Sequence, residues 1–209
     1  MPDGGLVEQQ SKLSILVLED MPNYGSNALA ALKGHDARLV TTLEEAKGAM
    51  KERKFDFILS DAHVPISAGG DPTAVVSAIL QACYDSGTPL CFVTKADHHG
   101  LLDKQEEGYI TIRAVTLGDA AETYMQLSRS VKTRSEGDIF REMKSTAGEN
   151  IPIGSKTPEV WLRALEMLRN ASTKPSPIAG AIRKARSVGM DVVIENGLPK
   201  VIPLKNTKP

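Results

Sequence analysis

With 209 residues, the chain has room for one good domain and an appendage. Its apolar share of 41% and charged share of 24% are ordinary for a soluble globular protein. No run approaches the length of a membrane span, so no membrane partner is expected. The formal net charge of −1 hides an asymmetry: residues 1–130 carry 18 acids and 11 bases, whereas residues 161–209 carry 3 acids and 9 bases. A basic tail behind an acidic domain fits an acidic partner such as nucleic acid, or docking on its own domain or on a second copy. Met1-Pro2-Asp3-Gly4-Gly5 lacks the basic and apolar regions of a signal peptide, and a cytoplasmic location is expected. Cys83 and Cys91 stand in apolar contexts and read as buried free thiols.

In chain order, residues 1–11 are polar and Gly-rich and read as a flexible N-terminus. A first strand is predicted at 13–19. Pro22 opens a helix with Ala28, Leu29, Ala31 and Leu32 on its apolar face, ended by Gly34. Ala37 to Thr41 is a second strand. Thr42-Leu43-Glu44-Glu45 is a capping box for a helix to about Lys54. A third strand covers 55–60. Asp71-Pro72 starts a helix whose buried stripe is Val75, Val76, Ile79, Leu80 and Cys83, and Gly87-Thr88-Pro89 breaks it. A fourth strand follows, then a loop from Lys95 to Gly100 and a short helix at 101–107. Tyr109 to Val115 alternates as a fifth strand, and Asp119 with Glu122 caps a helix to about Val131.

The fold class expected is α/β: a doubly wound, parallel five-stranded sheet of order 2-1-3-4-5 with right-handed crossovers. A small helical and β-hairpin region completes the chain. The domain plan is a flexible segment 1–11, a sheet domain 12–134 and a C-terminal extension 135–209. Within the extension, Gly137 to Ala147 reads as a helix and Ile151-Pro152-Ile153-Gly154 as a linker. Thr157-Pro158-Glu159 opens a helix with Val160, Trp161, Ala164, Leu165 and Leu168 on one face. Ser176-Pro177 starts another helix, stopped by Gly189. Asp191 to Glu195 and Lys200 to Leu204 flank Asn196-Gly197 as a hairpin.

The chemistry lies at the strand ends. The first strand stops at Glu19-Asp20, the third at Asp61 and the fourth at Thr94. In a parallel sheet these ends share one edge, where open α/β sheets place ligands. An acid after a strand also serves as a cap or turn residue, so joint placement carries the signal rather than any one acid. Downstream of Asp61 run Ala62-His63-Val64-Pro65, with Gly69 in the eighth place.

With these residues the N-terminal ~120 residues resemble the receiver domain of two-component response regulators, which has the flavodoxin-like strand order above. The resemblance implies Mg²⁺ held by Glu19, Asp20 and Asp61. It implies Asp61 as phosphoryl acceptor from a histidine kinase or phosphotransfer protein, Thr94 as the hydroxyl that contacts the phosphoryl group, and a signalling role rather than an enzyme. Mg²⁺ prefers hard oxygen ligands and retains water, so two or three carboxylates suffice. One departure is the lysine that receivers carry at the end of strand five, usually before Pro. No lysine lies between Gln105 and Val131; the nearest candidate is Arg113, followed by Ala114. Arg binds phosphate with a different geometry from Lys. The resemblance therefore also admits a pseudo-receiver that docks proteins without phosphorylation.

Two other classes stay open. His63, His98 and His99 follow strand ends and, with Asp61, would make a transition-metal site for a hydrolase or small-ligand binder. Residues 155–209 resemble a winged helix in outline, with Arg183, Lys184, Arg186 and Lys200 as phosphate-facing bases of a DNA-binding regulator. The same tail also reads as a structural cover or the builder of a homodimer. Trp161 reads as core, and Gly69-Gly70 and Gly4-Gly5 match no phosphate-loop pattern.

Overall fold

The computed structural model describes residues 12–95, 101, 108–121, 123, 135–143, 147–152, 154–172, 184–195 and 198–204. The apolar run Ser14–Leu18 forms β1, which sits inside the sheet with neighbours on both edges. On one side it pairs in parallel with β2 (Asp36–Val40), on the other with β3 (Phe57–Ser60). β6 (Leu90–Thr94) continues the parallel sheet beside β3 and is buried along its whole length, as a strand covered on both faces must be. Two further strands complete the order β2-β1-β3-β6-β7-β8.

β7 (Tyr109–Val115) is the expected fifth strand, but it runs antiparallel to β6, with Thr111 opposite Thr94. β8 (Ala147–Pro152) is antiparallel to β7 in turn, and so runs parallel to β6. The sheet is mixed and six-stranded rather than parallel and five-stranded. The strand that returns its C-terminal end to the shared edge beyond β6 is β8. The sequence Ala-Gly-Glu-Asn-Ile-Pro is poor in strand-forming residues, which is why it reads as the end of a helix and a linker. An edge position tolerates its Pro152.

Helices cover both faces. α1 (Pro22–Ala31) and α5 (Pro158–Ser172) share one face, where Ala28, Leu32, Trp161, Ala164, Leu165 and Leu168 pack on Ile15, Val17, Leu59, Cys91, Val93 and Ile112. The stripe predicted for α5 is therefore core of the main sheet. A boundary at 134 cuts through this sheet, because β8 and α5 belong to it, and the winged-helix outline loses its first helix.

α2 (Leu43–Glu52), α3 (Val76–Ser86) and α4 (Glu136–Glu142) take the opposite face, packing on Leu16, Leu18, Ile58, Leu90 and Phe92. The Thr42/Glu45 capping box of α2 forms as predicted. The helix after β7 starts earlier than Asp119: Thr116 caps it, accepting from the Asp119 N–H while Asp119 accepts from the Thr116 N–H. α3 also starts late. Residues 72–74 form β5 (Pro72–Ala74), a small antiparallel ribbon with β4 (His63–Pro65). The N–H groups opening α3 find no local side-chain cap; Glu136 of α4 accepts from the Ser77 N–H instead. Gly87 ends α3 in the left-handed region at φ 69°, where Gly is favoured.

β9 (Met190–Glu195) and β10 (Leu198–Pro203) form the hairpin read from Asn196-Gly197, paired antiparallel. It docks at the end of α3, where the Tyr84 hydroxyl donates to the Val192 carbonyl and Arg186 donates to the Tyr84 carbonyl. The expected helix at 101–107 and most of the helix from Ser176 lie outside the described residues.

Candidate functional site

Glu19, Asp20 and Asp61 arrive at one place because β1 and β3 are parallel neighbours, with Leu18 opposite Ser60. One carboxylate oxygen from each lies within 4.8 Å of those of the other two. Glu19 is buried, and its Oε1 accepts from the Met21 N–H at 3.1 Å, which turns the chain into α1. Asp61 keeps 12% of its side chain exposed. Its Oδ1 accepts from the N–H groups of Ala62 at 2.6 Å and His63 at 3.2 Å. These two bonds fix the carboxylate and leave Oδ2 facing the pocket. Three hard oxygen donors with a partly open side fit Mg²⁺ by ligand chemistry.

The centre of the pocket is a residue that sequence reasoning missed. Lys156 is fully buried, and its Nζ donates to Glu19 Oε2 and Asp61 Oδ2, each at 2.5 Å. It stands four residues after β8, just ahead of α5. Lys156-Thr157-Pro158 is one residue looser than the Lys-Pro that the resemblance leads one to expect, and β8 carries no strand pattern to point to it. The ammonium also lies 5.4 Å from the ring centre of Tyr24 and 5.8 Å from that of Trp161, so aromatic faces line its apolar side.

Burial pushes Glu19 up to about 7, and the negative charge of Asp61 adds to that push while Lys156 opposes it. Burial would lower Lys156, but the charges of Asp61 and Glu19 outweigh it and hold the ammonium above the usual lysine range. A cation shared by two carboxylates therefore leaves the pocket short of positive charge.

Thr94 ends β6 at the same edge. It is fully buried, and its hydroxyl has no hydrogen-bond partner among the described residues. Its neighbour across the strands, Thr111, donates to Asn150 Oδ1 at 3.0 Å. A buried hydroxyl without a partner is costly, and one at a ligand edge is ready to bond an incoming oxygen.

Arg113, the sequence's candidate for the missing lysine, lies opposite Phe92 and two positions short of the strand-end edge at Thr94. It lies mid-strand on β7, donates to the Phe140 carbonyl at 2.8 Å and stacks over the Phe140 ring. That geometry ties β7 to α4. His63 sits on β4 beside Asp61, whereas His98 and His99 lie outside the described residues. No helix of the described residues is long and apolar enough to cross a membrane.

No family profile and no curated protein matches the chain. Similar solved structures include the anti-anti-sigma factor PhyR of Bartonella quintana, a double mutant, with 19% identity and TM-score 0.35 over 42% of this chain. That match spans 36% of the PhyR structure, so most of it has no counterpart here. A fusion carrying part of the yeast Spc42 trimeric coiled coil gives 16% identity and TM-score 0.43, covering 85% of this chain and 93% of the other. The response regulator DrrB of Thermotoga maritima, an OmpR/PhoB homologue, gives 12% identity and TM-score 0.26, covering 93% and 100%. At these levels the likenesses are weak, and the functional case rests on the pocket itself.

Proposed function

We propose that the chain is a receiver-like signalling protein that accepts a phosphoryl group on Asp61. The observation that carries this reading is Lys156 Nζ bridging Glu19 and Asp61 at the strand-end edge. The Thr94 hydroxyl at that edge, without a partner among the described residues, adds to it. Lysine, paired acids, acceptor and hydroxyl thus have a candidate each, and the lysine that the fifth strand lacks is supplied from beyond β8.

In the proposed reaction, an Asp61 carboxylate oxygen attacks the phosphorus of a donor such as an acyl phosphate or phosphohistidine. A P–O bond forms to Asp61, and the donor's bond to phosphorus breaks with the electron pair leaving on the donor. Glu19, Asp20 and Asp61 would hold Mg²⁺, which when bound offsets the repulsion between carboxylate and phosphoryl oxygens. Lys156 then exchanges its bond to Asp61 Oδ2 for one to a phosphoryl oxygen, keeping a charge-assisted contact. Thr94 donates a hydrogen bond to another phosphoryl oxygen. A histidine kinase or phosphotransfer protein is the partner class this chemistry implies.

Incubation with acetyl phosphate and Mg²⁺ tests the reading by intact mass. One added phosphoryl group is expected, lost on removing Mg²⁺ and absent in Asp61→Asn. An unchanged mass with phosphodonor present, while Mg²⁺ still binds, would leave the pseudo-receiver form. Bound zinc with hydrolytic activity would favour the hydrolase alternative instead.

A further inference from the structure

We propose that Asn27 is the positioning residue for Lys156: its side-chain amide holds the lysine main chain at the point from which Nζ reaches both carboxylates. This rests on the reading of the acidic pocket above and adds α1 to its machinery.

The need for an anchor comes from the sheet order. β7 stands between β6 and β8, so β8 is three strand spacings from β3 and four from β1, roughly 14 and 19 Å. Lys156 bonds acids that follow both of those strands. Lys156 stands four residue steps after Pro152, the last of β8, and an extended chain of that length spans at most about 14 Å. A lysine stem adds roughly 6 Å. That upper bound of roughly 20 Å barely exceeds the distance to be crossed, so an ammonium so delivered is placed accurately only if its backbone is fixed on the far side.

Asn27 provides that fixing. It projects from α1, and its Nδ2 donates to the Lys156 carbonyl at 2.9 Å, across 129 positions of sequence. The carbonyl has no role in the start of α5, where the first helical N–H groups go to the Thr157 carbonyl. The Thr157 N–H bonds back to the Ser155 carbonyl at 2.8 Å, so Lys156 sits at the apex of a three-residue turn. Such a turn aims its central side chain, and the amide of Asn27 settles where the apex lies. Tyr24, one turn earlier on α1, presents its ring to the same ammonium. Helix α1 therefore holds the lysine at its carbonyl and flanks it at its nitrogen.

The test uses the full chain with Asn27→Leu, which keeps the branched shape and removes the donor, and Asn27→Ala beside it. Three readouts are taken: labelling of the Lys156 amine in metal-free protein by reductive methylation and mass spectrometry, Mg²⁺ affinity by calorimetry, and the rate of phosphorylation by acetyl phosphate. With the anchor gone, Lys156 labels about tenfold faster. Mg²⁺ binds several-fold more tightly because the lysine competes less for the acids, and phosphorylation slows about tenfold. Movement of the last two in opposite directions is what a merely structural role would not produce. Unchanged labelling and Mg²⁺ affinity would overturn the proposal, as would losses of both activities in step with thermal stability. If labelling and Mg²⁺ affinity respond as stated but the unsubstituted chain takes up no phosphoryl group, the anchor stands and the phosphoryl-acceptor reading falls.

Discussion

Lys156 Nζ lies 2.5 Å from Asp61 Oδ2 although the two stand 95 positions apart in sequence, and the same nitrogen is 2.5 Å from Glu19 Oε2. The contact joins the strands that open the chain to the helix that closes the sheet. It makes the pocket a structural keystone as well as a candidate site, so changes within it are expected to be felt in stability and chemistry together.

Removing the cation exposes that double role. Lys156→Met leaves Glu19 and Asp61 facing each other in a buried setting without a counter-charge. Breaking one partner out of a buried ion pair costs about 3–5 kcal/mol. We expect a loss of that order in urea unfolding at pH 8, together with loss of phosphorylation by acetyl phosphate. The double variant Lys156→Met with Glu19→Gln should recover part of the stability and none of the phosphorylation. A single variant as stable as the parent would refute the buried pairing.

Thr94 should separate the two roles. Its hydroxyl is buried and has no partner among the described residues, so Thr94→Val removes a group that gains nothing from them. Stability is expected to change by less than about 1 kcal/mol, or to rise. The phosphorylated form, where the hydroxyl would gain a partner, should turn over with altered kinetics. The checks are chemical denaturation and the decay of phosphorylated protein followed by mass.

Stability should also carry a pH signature from Glu19. Burial raises its folded value to about 7 from 4.5, so the folded state binds the proton more tightly than the unfolded chain. The resulting contribution is fully present below about pH 4.5 and is lost as pH rises through 7, amounting to at most roughly 3 kcal/mol. Urea midpoints measured from pH 5 to pH 8 should fall by more in the parent than in Glu19→Gln. Parallel curves for the two proteins would contradict the assignment.

The two cysteines offer a check on the core. Cys83 and Cys91 are free and fully buried, and burial pushes both thiols far above the usual range. Neither is expected to react with a thiol-exchange reagent in native buffer, and both should react in denaturant. Fast native labelling of Cys91 would mean that β6 is less covered than described.

Truncations distinguish core from appendage. A chain ending at Arg134 lacks β8, Lys156 and α5, and is expected not to fold. A chain ending at Ser172 keeps all three. It should fold with lower stability, because Tyr84 loses the hairpin that covers it. The same comparison bears on nucleic acid: salt-sensitive DNA retention by the full chain but not by the chain ending at Ser172 would assign binding to the basic tail.

Much of this protein was legible in its linear order. Apolar runs ending in Glu19-Asp20, Asp61 and Thr94 located the strands that carry the site. The helix periods of Val76 to Cys83 and of Val160 to Leu168 named buried residues that are buried. Local chemistry sufficed for these, since capping, periodicity and turn residues act within a few positions of one another.

What local pattern did not contain was the direction of β7, the strand at 147–152 and the lysine. Strand direction is decided by where the chain returns, and the weakly β-prone Ala147–Pro152 becomes a strand because β7 offers it a free edge. Lys156 becomes a site residue only when α5 packs on α1 and draws its leading turn over the sheet edge. By itself the sequence determined the acids, the hydroxyl and the buried faces of α3 and α5, whereas on α1 it placed Leu29 inward and the structure leaves it exposed. Tertiary structure alone decided which cation meets them, because that meeting depends on hydrogen bonds and packing between segments more than 90 positions apart.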